Sequence, residues 1–281
     1  FQLTGSDGNV IGNSNGKFVT DSSGTIRVDG LEPGMTVIAK ETRTRSGYVL
    51  DDAPQTIKIK ANETMTLEFR NQPKGSLIVV KKDSVTGKPL PGAEFKITTA
   101  SGELVPDNEG LTSTNGMFKT NANGQIVLLK LTPGTYVVTE TKTVDGYELD
   151  STSQTVVVSA NDAQTLTFLN TPKGKLLIEK IDSVTRCPLP GAPFEIKGSS
   201  FPATSFTTNS SGQILLQDLT SGDYTIEEKR APDGYRFESN SRVAKVEAGK
   251  TAKITIENEP LGGLLLKKMN SVTKEPLSDV I

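Results

Sequence analysis

The sequence predicts an all-β fold: tandem Ig-like β-sandwich domains in an elongated array. Three observations carry that expectation. Blocks of sequence recur in the same order along the chain. Short runs of alternating or β-branched residues are bounded by Gly, Pro, Asn and Asp turn signals, as strands are. No segment sustains a helical period.

The repeat comes first, because it sets the register for everything else. Gly75 to Thr86 reads GSLIVVKKDSVT, Gly174 to Thr185 reads GKLLIEKIDSVT and Gly262 to Thr273 reads GGLLLKKMNSVT. Pro89-Leu90-Pro91-Gly92-Ala93-Glu94-Phe95 returns as Pro188-Leu189-Pro190-Gly191-Ala192-Pro193-Phe194. Gly134-Thr135-Tyr136 leads to Glu140, and Gly222-Asp223-Tyr224 leads to Glu228. Each is followed by Asp-Gly-Tyr, at 145–147 and 233–235. The units close on Phe168-Leu169-Asn170 and Ile256-Glu257-Asn258. The step from Lys81 to Lys180 equals that from Asn71 to Asn170, and the step from Lys180 to Lys268 equals that from Asn170 to Asn258. The third unit is shorter because the loop after its second strand is shorter.

Residues 1–73 fit the same template without its beginning, from Phe1-Gln2-Leu3 through Glu41 to Phe69-Arg70-Asn71. Residues 261–281 supply only a beginning. The expected division is therefore 1–73, a domain lacking its first strand; 74–172 and 173–260, complete domains; and 261–281, the first strand of a further one. Leu77, Val79 and Lys81 alternate with Ile78, Val80 and Lys82, placing the first set on one face of a strand. Thr155 to Val158 and Thr165 to Phe168 are strand-length runs rich in β-branched residues. Asn123-Gly124, Pro133-Gly134, Asp145-Gly146 and Ser211-Gly212 read as turns. Each junction is short and holds a proline, Pro73, Pro172 or Pro260, which restrains neighbouring domains and suggests a semi-rigid rod.

Composition narrows the function. The chain of 281 residues has a net charge of −2 and 23% charged residues, with no basic face for nucleic acid or an anionic membrane. Its apolar runs are too short to span a bilayer, so no membrane insertion is expected in this segment. There is no His and no Trp. The usual general base and metal ligand are therefore missing, and no metal or cofactor is expected. The single cysteine, Cys187, cannot close a disulfide within the chain and lies in a turn as an exposed thiol.

Three residue types recur at matched places: a Lys in the first strand, a Glu after the Gly-x-Tyr strand and an Asn ending the last strand. The second unit has Lys81, Glu140 and Asn170; the third has Lys180, Glu228 and Asn258. One such trio alone reads as a solvated ion pair and a turn residue. Two in register, with Glu41 and Asn71 before them and Lys268 after, point to a shared purpose. Glu227 beside Glu228 leaves the face open in the third unit, since alternation turns only one of the pair inward.

The ordered motifs carry a resemblance. Gly75-x-Leu77-x-Val79-x-Lys81-x-Asp83, Leu90-x-Gly92-Ala93-x-Phe95, Gly134-x-Tyr136-x-x-x-Glu140 and Phe168-x-Asn170 resemble the collagen-adhesin B-type domain. Glu228-Lys229-Arg230-Ala231-Pro232-Asp233-Gly234-Tyr235 is close to that family's hallmark. This is the SpaA-like, prealbumin-fold repeat of Gram-positive pilins and adhesins. The resemblance covers essentially the whole chain.

It implies that Lys and Asn join spontaneously in an isopeptide bond and that Glu is the catalyst. Lys81 would join Asn170 under Glu140, and Lys180 would join Asn258 under Glu228. Physical chemistry agrees: an amine attacks only when neutral, and burial disfavours its cation. A buried carboxylic acid can polarise the amide carbonyl and shuttle protons as ammonia leaves. Folding supplies the proximity. The reaction occurs once per domain, so it is maturation and not turnover, and no enzyme activity is expected.

The first unit has Glu41 and Asn71 without a lysine strand, and has one more residue between Gly34 and Glu41 than the others have at that step. The last piece has Lys268, with Asn270 in place of the expected Asp and no partner following. Strand exchange from one molecule's tail to another's first domain, joining Lys268 to Asn71, is one consequence; a chain cut at both ends is the other reading, and the expected state is monomeric. The implied function is a stalk or spacer in a Gram-positive cell-wall-anchored surface protein, extracellular, with any host or matrix ligand bound elsewhere in the parent protein. A host protein- or glycan-binding module and a sortase-polymerised pilin backbone are the alternatives; aromatic residues are only 5%, and no Leu-Pro-x-Thr-Gly signal is present.

Overall fold

In a computed structural model, residues 1–12, 15–106, 108, 111, 113–198 and 200–278 are described. Asp279, Val280 and Ile281, at the end of the expected final piece, lie outside these residues. The described chain contains strands and no helix. It divides into two compact units: Phe1–Asp83 with Gly87–Val144 and Leu149–Asn170, and Ser84–Thr86 with Asp145–Glu148 and Thr171–Ile281.

The first unit opens with β1 (Gln2–Gly5), β2 (Thr36–Lys40) and β3 (Gln55–Lys58), an antiparallel sheet in the order β1-β2-β3. Leu3, Ile11, Val37 and Ala39 form its small core, with Phe18, Val28, Leu67 and Phe69 packed against them. Residues 25–31 and 64–70 form no strand. Their counterparts further along the chain pair with a central strand that segment 1–73 does not contain. Backbone groups without a neighbour have no ladder to join.

The same unit continues with β4 (Gly75–Asp83), β5 (Glu94–Thr99), β6 (Met117–Lys119), β7 (Gln125–Leu131), β8 (Gly134–Lys142), β9 (Gln154–Val158) and β10 (Ala163–Asn170). These make two sheets, β10-β4-β7 and β6-β5-β8-β9. The first strand, β4, lies in the middle of its sheet, parallel to the last strand β10 and antiparallel to β7. Leu77, Val79, Phe95, Ile97, Phe118, Ile126, Leu128, Val138 and Phe168 fill the space between the sheets. Phe95 meets Phe168 edge to face with ring centroids 4.9 Å apart.

The second unit repeats the plan with β11 (Gly174–Asp182), β12 (Pro193–Gly198), β13 (Phe201–Thr207), β14 (Gln213–Leu219), β15 (Gly222–Glu228), β16 (Ser241–Val246) and β17 (Thr251–Asn258). The sheets are β14-β11-β17 and β13-β12-β15-β16, with β11 again central and parallel to β17. The shorter loop expected here is a direct β12–β13 pairing that begins at Gly198↔Phe201. Buried Leu176, Ile178, Phe194, Ile196 and Ile226 form the core.

Two glycine turns fix the central strands. Gly124 has φ 67° and Gly212 has φ 68°, values that disfavour other residues. A Cβ on Gly124 would stand 2.6 Å from the Lys81 carbonyl oxygen, and one on Gly212 2.6 Å from that of Lys180. Each glycine carbonyl accepts the amide of the lysine opposite, at 2.7 and 2.8 Å. The backbone of both lysines is therefore held by a turn that only glycine fits.

Past Pro260 the described residues form no strand, although Gly262 to Lys268 carries the first-strand pattern. Leu264, Leu265 and Leu266 are 84%, 77% and 82% exposed. The segment keeps the turn that follows the first strand in the other repeats. Leu277 N donates to Lys268 O, as Leu90 N does to Lys81 O and Leu189 N to Lys180 O. Asn270 fills the role of the expected Asp, accepting the amides of Val272 and Thr273 as Asp182 accepts those of Val184 and Thr185.

Candidate functional site

Strand alternation turns Lys81 inward. Leu77, Val79, Lys81 and Asp83 are the buried side of β4, so the lysine follows two core residues into the interior. Its side chain is 0% exposed, as are those of Lys180 and Glu140. Glu140 comes from β8, in the opposite sheet, where Phe95 pairs with it across β5–β8. Asn170 ends β10, beside β4, with Phe168 next to Lys81 and Asn170 next to Asp83. Three strands from two sheets thus deliver three polar side chains to one apolar site.

There Lys81 Nζ donates to Glu140 Oε2 at 3.1 Å and to Asn170 Oδ1. Asn170 Nδ2 donates to Glu140 Oε1 at 2.8 Å and to Thr143 Oγ1. Each carboxylate oxygen therefore serves a different partner. Burial lowers the Lys81 pKa from its ordinary value, and the hydrogen bond and charge of Glu140 offset this only in part. An isolated buried ammonium is costly, so a lysine in this position is biased toward the neutral amine.

The repeat over 174–260 assembles the same residue types differently. Lys180 Nζ stands 3.3 Å from Glu228 Oε2, and burial again lowers its pKa against the pull of Glu228. Asn258 Nδ2 donates to Glu228 Oε2 at 3.2 Å and to the Arg236 carbonyl at 2.9 Å. Asn258 Oδ1 and Glu228 Oε1 are buried with no hydrogen-bond partner. Glu228 is the inward member of its pair: it is buried, whereas Glu227 faces out and pairs with Lys229 at 2.9 Å. Both catalytic candidates, Glu140 and Glu228, lie within their strands rather than after them.

Segment 1–73 holds a half-site. Asn71 Nδ2 donates to Glu41 Oε1 at 2.8 Å and to Thr44 Oγ1, and Asn71 Oδ1 is buried without a partner. Glu41 is buried, and Asp51 N donates to its other oxygen at 3.3 Å. An open cleft of about 1560 Å³ adjoins them, lined by Leu3, Phe18, Val28 and Leu67 among others. Lys268 sits in the exposed tail, outside any strand.

Several polar residues around the sites were not singled out by the sequence. Thr143 and Thr44 each stand three positions after the glutamate, a spacing that the repeat alignment contains. Buried Thr120 donates to Leu90 O at 2.8 Å and accepts from Ala93 N at 3.0 Å, and Thr208 does the same at Leu189 and Ala192. Asp182 accepts the Tyr235 hydroxyl at 2.9 Å, and hydrogen bonding, led by the Thr185 amide, holds its pKa down. Cys187 is exposed. Among the described residues no group of three or more His, Cys, Asp and Glu could hold a metal, and no helix is long and apolar enough to cross a membrane.

Comparison with known proteins adds the following. Among solved structures, the Bacillus anthracis TIE protein is 27% identical over 85% of this chain and 44% of its own, with a TM-score of 0.41. The streptococcal ancillary pilin is 19% identical over 82% of this chain and 76% of its own, TM-score 0.41. The shaft pilin SpaA of Lactobacillus rhamnosus GG is 18% identical over 68% of this chain and 100% of its own, TM-score 0.39. The chain thus spans less than half the length of the Bacillus anthracis chain it matches. No curated protein matches the sequence. The model of the SpaA prealbumin-like fold domain matches residues 1–73, 75–172 and 174–260. With three matches that together take in most of its length, the chain belongs to the SpaA prealbumin-like fold domain family.

Proposed function

We propose that this chain is a structural stalk segment of a Gram-positive surface protein, whose complete domains, 74–172 and 173–260, lock themselves with Lys–Asn isopeptide bonds. The observation that carries this reading is the arrangement at Lys81: a fully buried amine on the carbonyl oxygen of Asn170, with Glu140 touching both. In the reaction the neutral Lys81 Nζ attacks Asn170 Cγ and passes one of its two protons to Glu140 Oε2. The Nζ–Cγ bond forms, the Cγ–Nδ2 bond breaks, and the nitrogen leaves as ammonia after taking up the proton that Glu140 carries. Glu140 ends as it began. Lys180, Asn258 and Glu228 take the same roles.

The position of the bond supports a load-bearing purpose. Lys81 is on the first strand and Asn170 ends the last, side by side and parallel. Tension entering at Gly75 would pass along β4 to Lys81, cross the bond and leave at Asn170. Residues 82 to 169 would hang outside the load path. A stalk needs that property; a ligand-binding module does not. The reading includes an extracellular, wall-anchored location and a ligand bound by other parts of the parent protein.

Intact mass of the denatured chain tests it. A deficit of two ammonia molecules is expected, and Glu140→Ala or Glu228→Ala should each restore one. No deficit would remove the covalent mechanism.

A further inference from the structure

We infer that Thr143 is a positioning residue for bond formation: its hydroxyl fixes the Asn170 amide with Oδ1 toward Lys81 and Nδ2 away from it. The inference rests on the proposed Lys–Asn bond and adds a residue to it.

A primary amide can sit in its pocket either way round, and only one way presents the carbonyl to the amine. At Asn170 the nitrogen has two acceptors, Glu140 Oε1 and Thr143 Oγ1. The oxygen is then left for Lys81 Nζ, which donates to it. The lysine is not what sets this orientation. At Asn71, where no lysine is present, the nitrogen again goes to Glu41 Oε1 and Thr44 Oγ1, and the oxygen is left bare. The glutamate and the threonine therefore hold the amide ready before the nucleophile arrives.

The third site lacks the hydroxyl. Ala231 occupies the position three after Glu228 and is buried. Asn258 Nδ2 turns instead to the Arg236 carbonyl and to Glu228 Oε2, the same oxygen that Lys180 contacts. Glu228 Oε1 and Asn258 Oδ1 are both left without a partner. With Thr143 the two carboxylate oxygens are divided between amine and amide; with Ala231 both crowd onto one. The hydroxyl thus pre-aligns the reacting carbonyl, which is where proximity gains most of its effect. Its removal leaves the reaction intact and slows it by about the worth of one hydrogen bond, about fivefold.

The test uses the whole chain, recovered unreacted in denaturant, refolded by dilution and quenched in acid at intervals. After digestion, mass spectrometry follows ammonia loss in the peptide pair holding Lys81 and Asn170. The pair holding Lys180 and Asn258, in the same molecules, serves as the clock. Thr143→Val should slow the first pair about fivefold against that clock, and Thr143→Ser, which keeps the hydroxyl, should restore it. Unchanged kinetics in Thr143→Val would overturn the inference. Equal slowing in Thr143→Ser would overturn it too, by tracing the effect to packing. Absence of ammonia loss from the unsubstituted chain would refute the crosslink and this inference together; a normal rate there with no effect of Thr143→Val refutes the inference alone.

Discussion

Glu140→Gln separates the proposed covalent bond from the packing around it. The substitution keeps the shape of the side chain and leaves an oxygen for the amide of Asn170, but removes the group that takes the lysine proton. The expected result is a folded second domain in which Lys81 and Asn170 touch without joining. The bond would close a loop of 89 residues. Restricting the unfolded chain to that loop is worth about 4.6 kcal/mol by the chain-entropy relation for crosslinks. For a domain of this size each kcal/mol moves the melting temperature by about 4–8 °C, so the domain should melt about 20–35 °C lower. Calorimetry of the whole chain resolves the change, because the third domain keeps its own triad and its own transition. Intact mass on the same sample reports one ammonia restored. Two results would refute the reasoning: full ammonia loss in Glu140→Gln, which would remove the glutamate from the mechanism, or loss of the bond with a melting shift under about 5 °C, which would mean that packing alone holds the fold.

Three further outcomes follow from the same geometry. Under force, Glu140→Gln should release residues 82 to 169 as about 300 Å of extra length, whereas the unsubstituted second domain should release none; equal traces in single-molecule pulling would contradict the proposed load path. In a chain kept uncrosslinked by Asn170→Ala, Lys81 remains an amine whose folded pKa lies below the ordinary 10.5. Between those two values the unfolded chain binds more protons than the folded one, so stability rises with pH across that interval; denaturation midpoints that stay flat or fall as pH is raised toward 10.5 would count against a desolvated lysine. Finally, we propose that the bare Asn71 Oδ1 and the cleft beside it accept the Leu264 to Lys268 segment of a second copy. Concentrated chain should then give a covalent dimer on denaturing gels that Lys268→Ala or Glu41→Ala abolishes; a monomer at every concentration would sink it.

Much of the site was legible because the repeat fixes register and strand alternation fixes face. Once Leu77, Val79 and Lys81 share a side of one strand, a buried lysine follows without knowledge of the fold. Glu140 and Asn170 recur at matched places, and the resemblance to the collagen-adhesin B-type domain is what implied that they partner the lysine. Alternation alone could not choose between Glu227 and Glu228, because the phase of β15 is set by its pairing, in which Phe194 lies opposite Glu228. Nor could it reveal Thr143, whose part depends on which way an amide is turned. Residues 25–31 and 64–70, which align with β7 and β10, form no strand, whereas β7 and β10 both pair with β4.

That contrast also explains why the chemistry and the fold are coupled. The lysine sits on the strand that both flanking strands need. In the second domain β4 supplies the ladder for β7 and β10, and burial of Lys81 comes only with that sandwiching. In segment 1–73, without such a strand, Glu41 and Asn71 still find each other, yet the flanking segments do not pair. An amine on an unfolded chain is solvated, protonated and distant; the same amine in the closed sheet is desolvated and in contact. On the proposed mechanism, bond formation would wait for the correct register of β4, since a slip of one residue would turn Lys81 outward and leave the amide unreacted. The proposed covalent lock, closing only on the finished fold, would not trap a misregistered one.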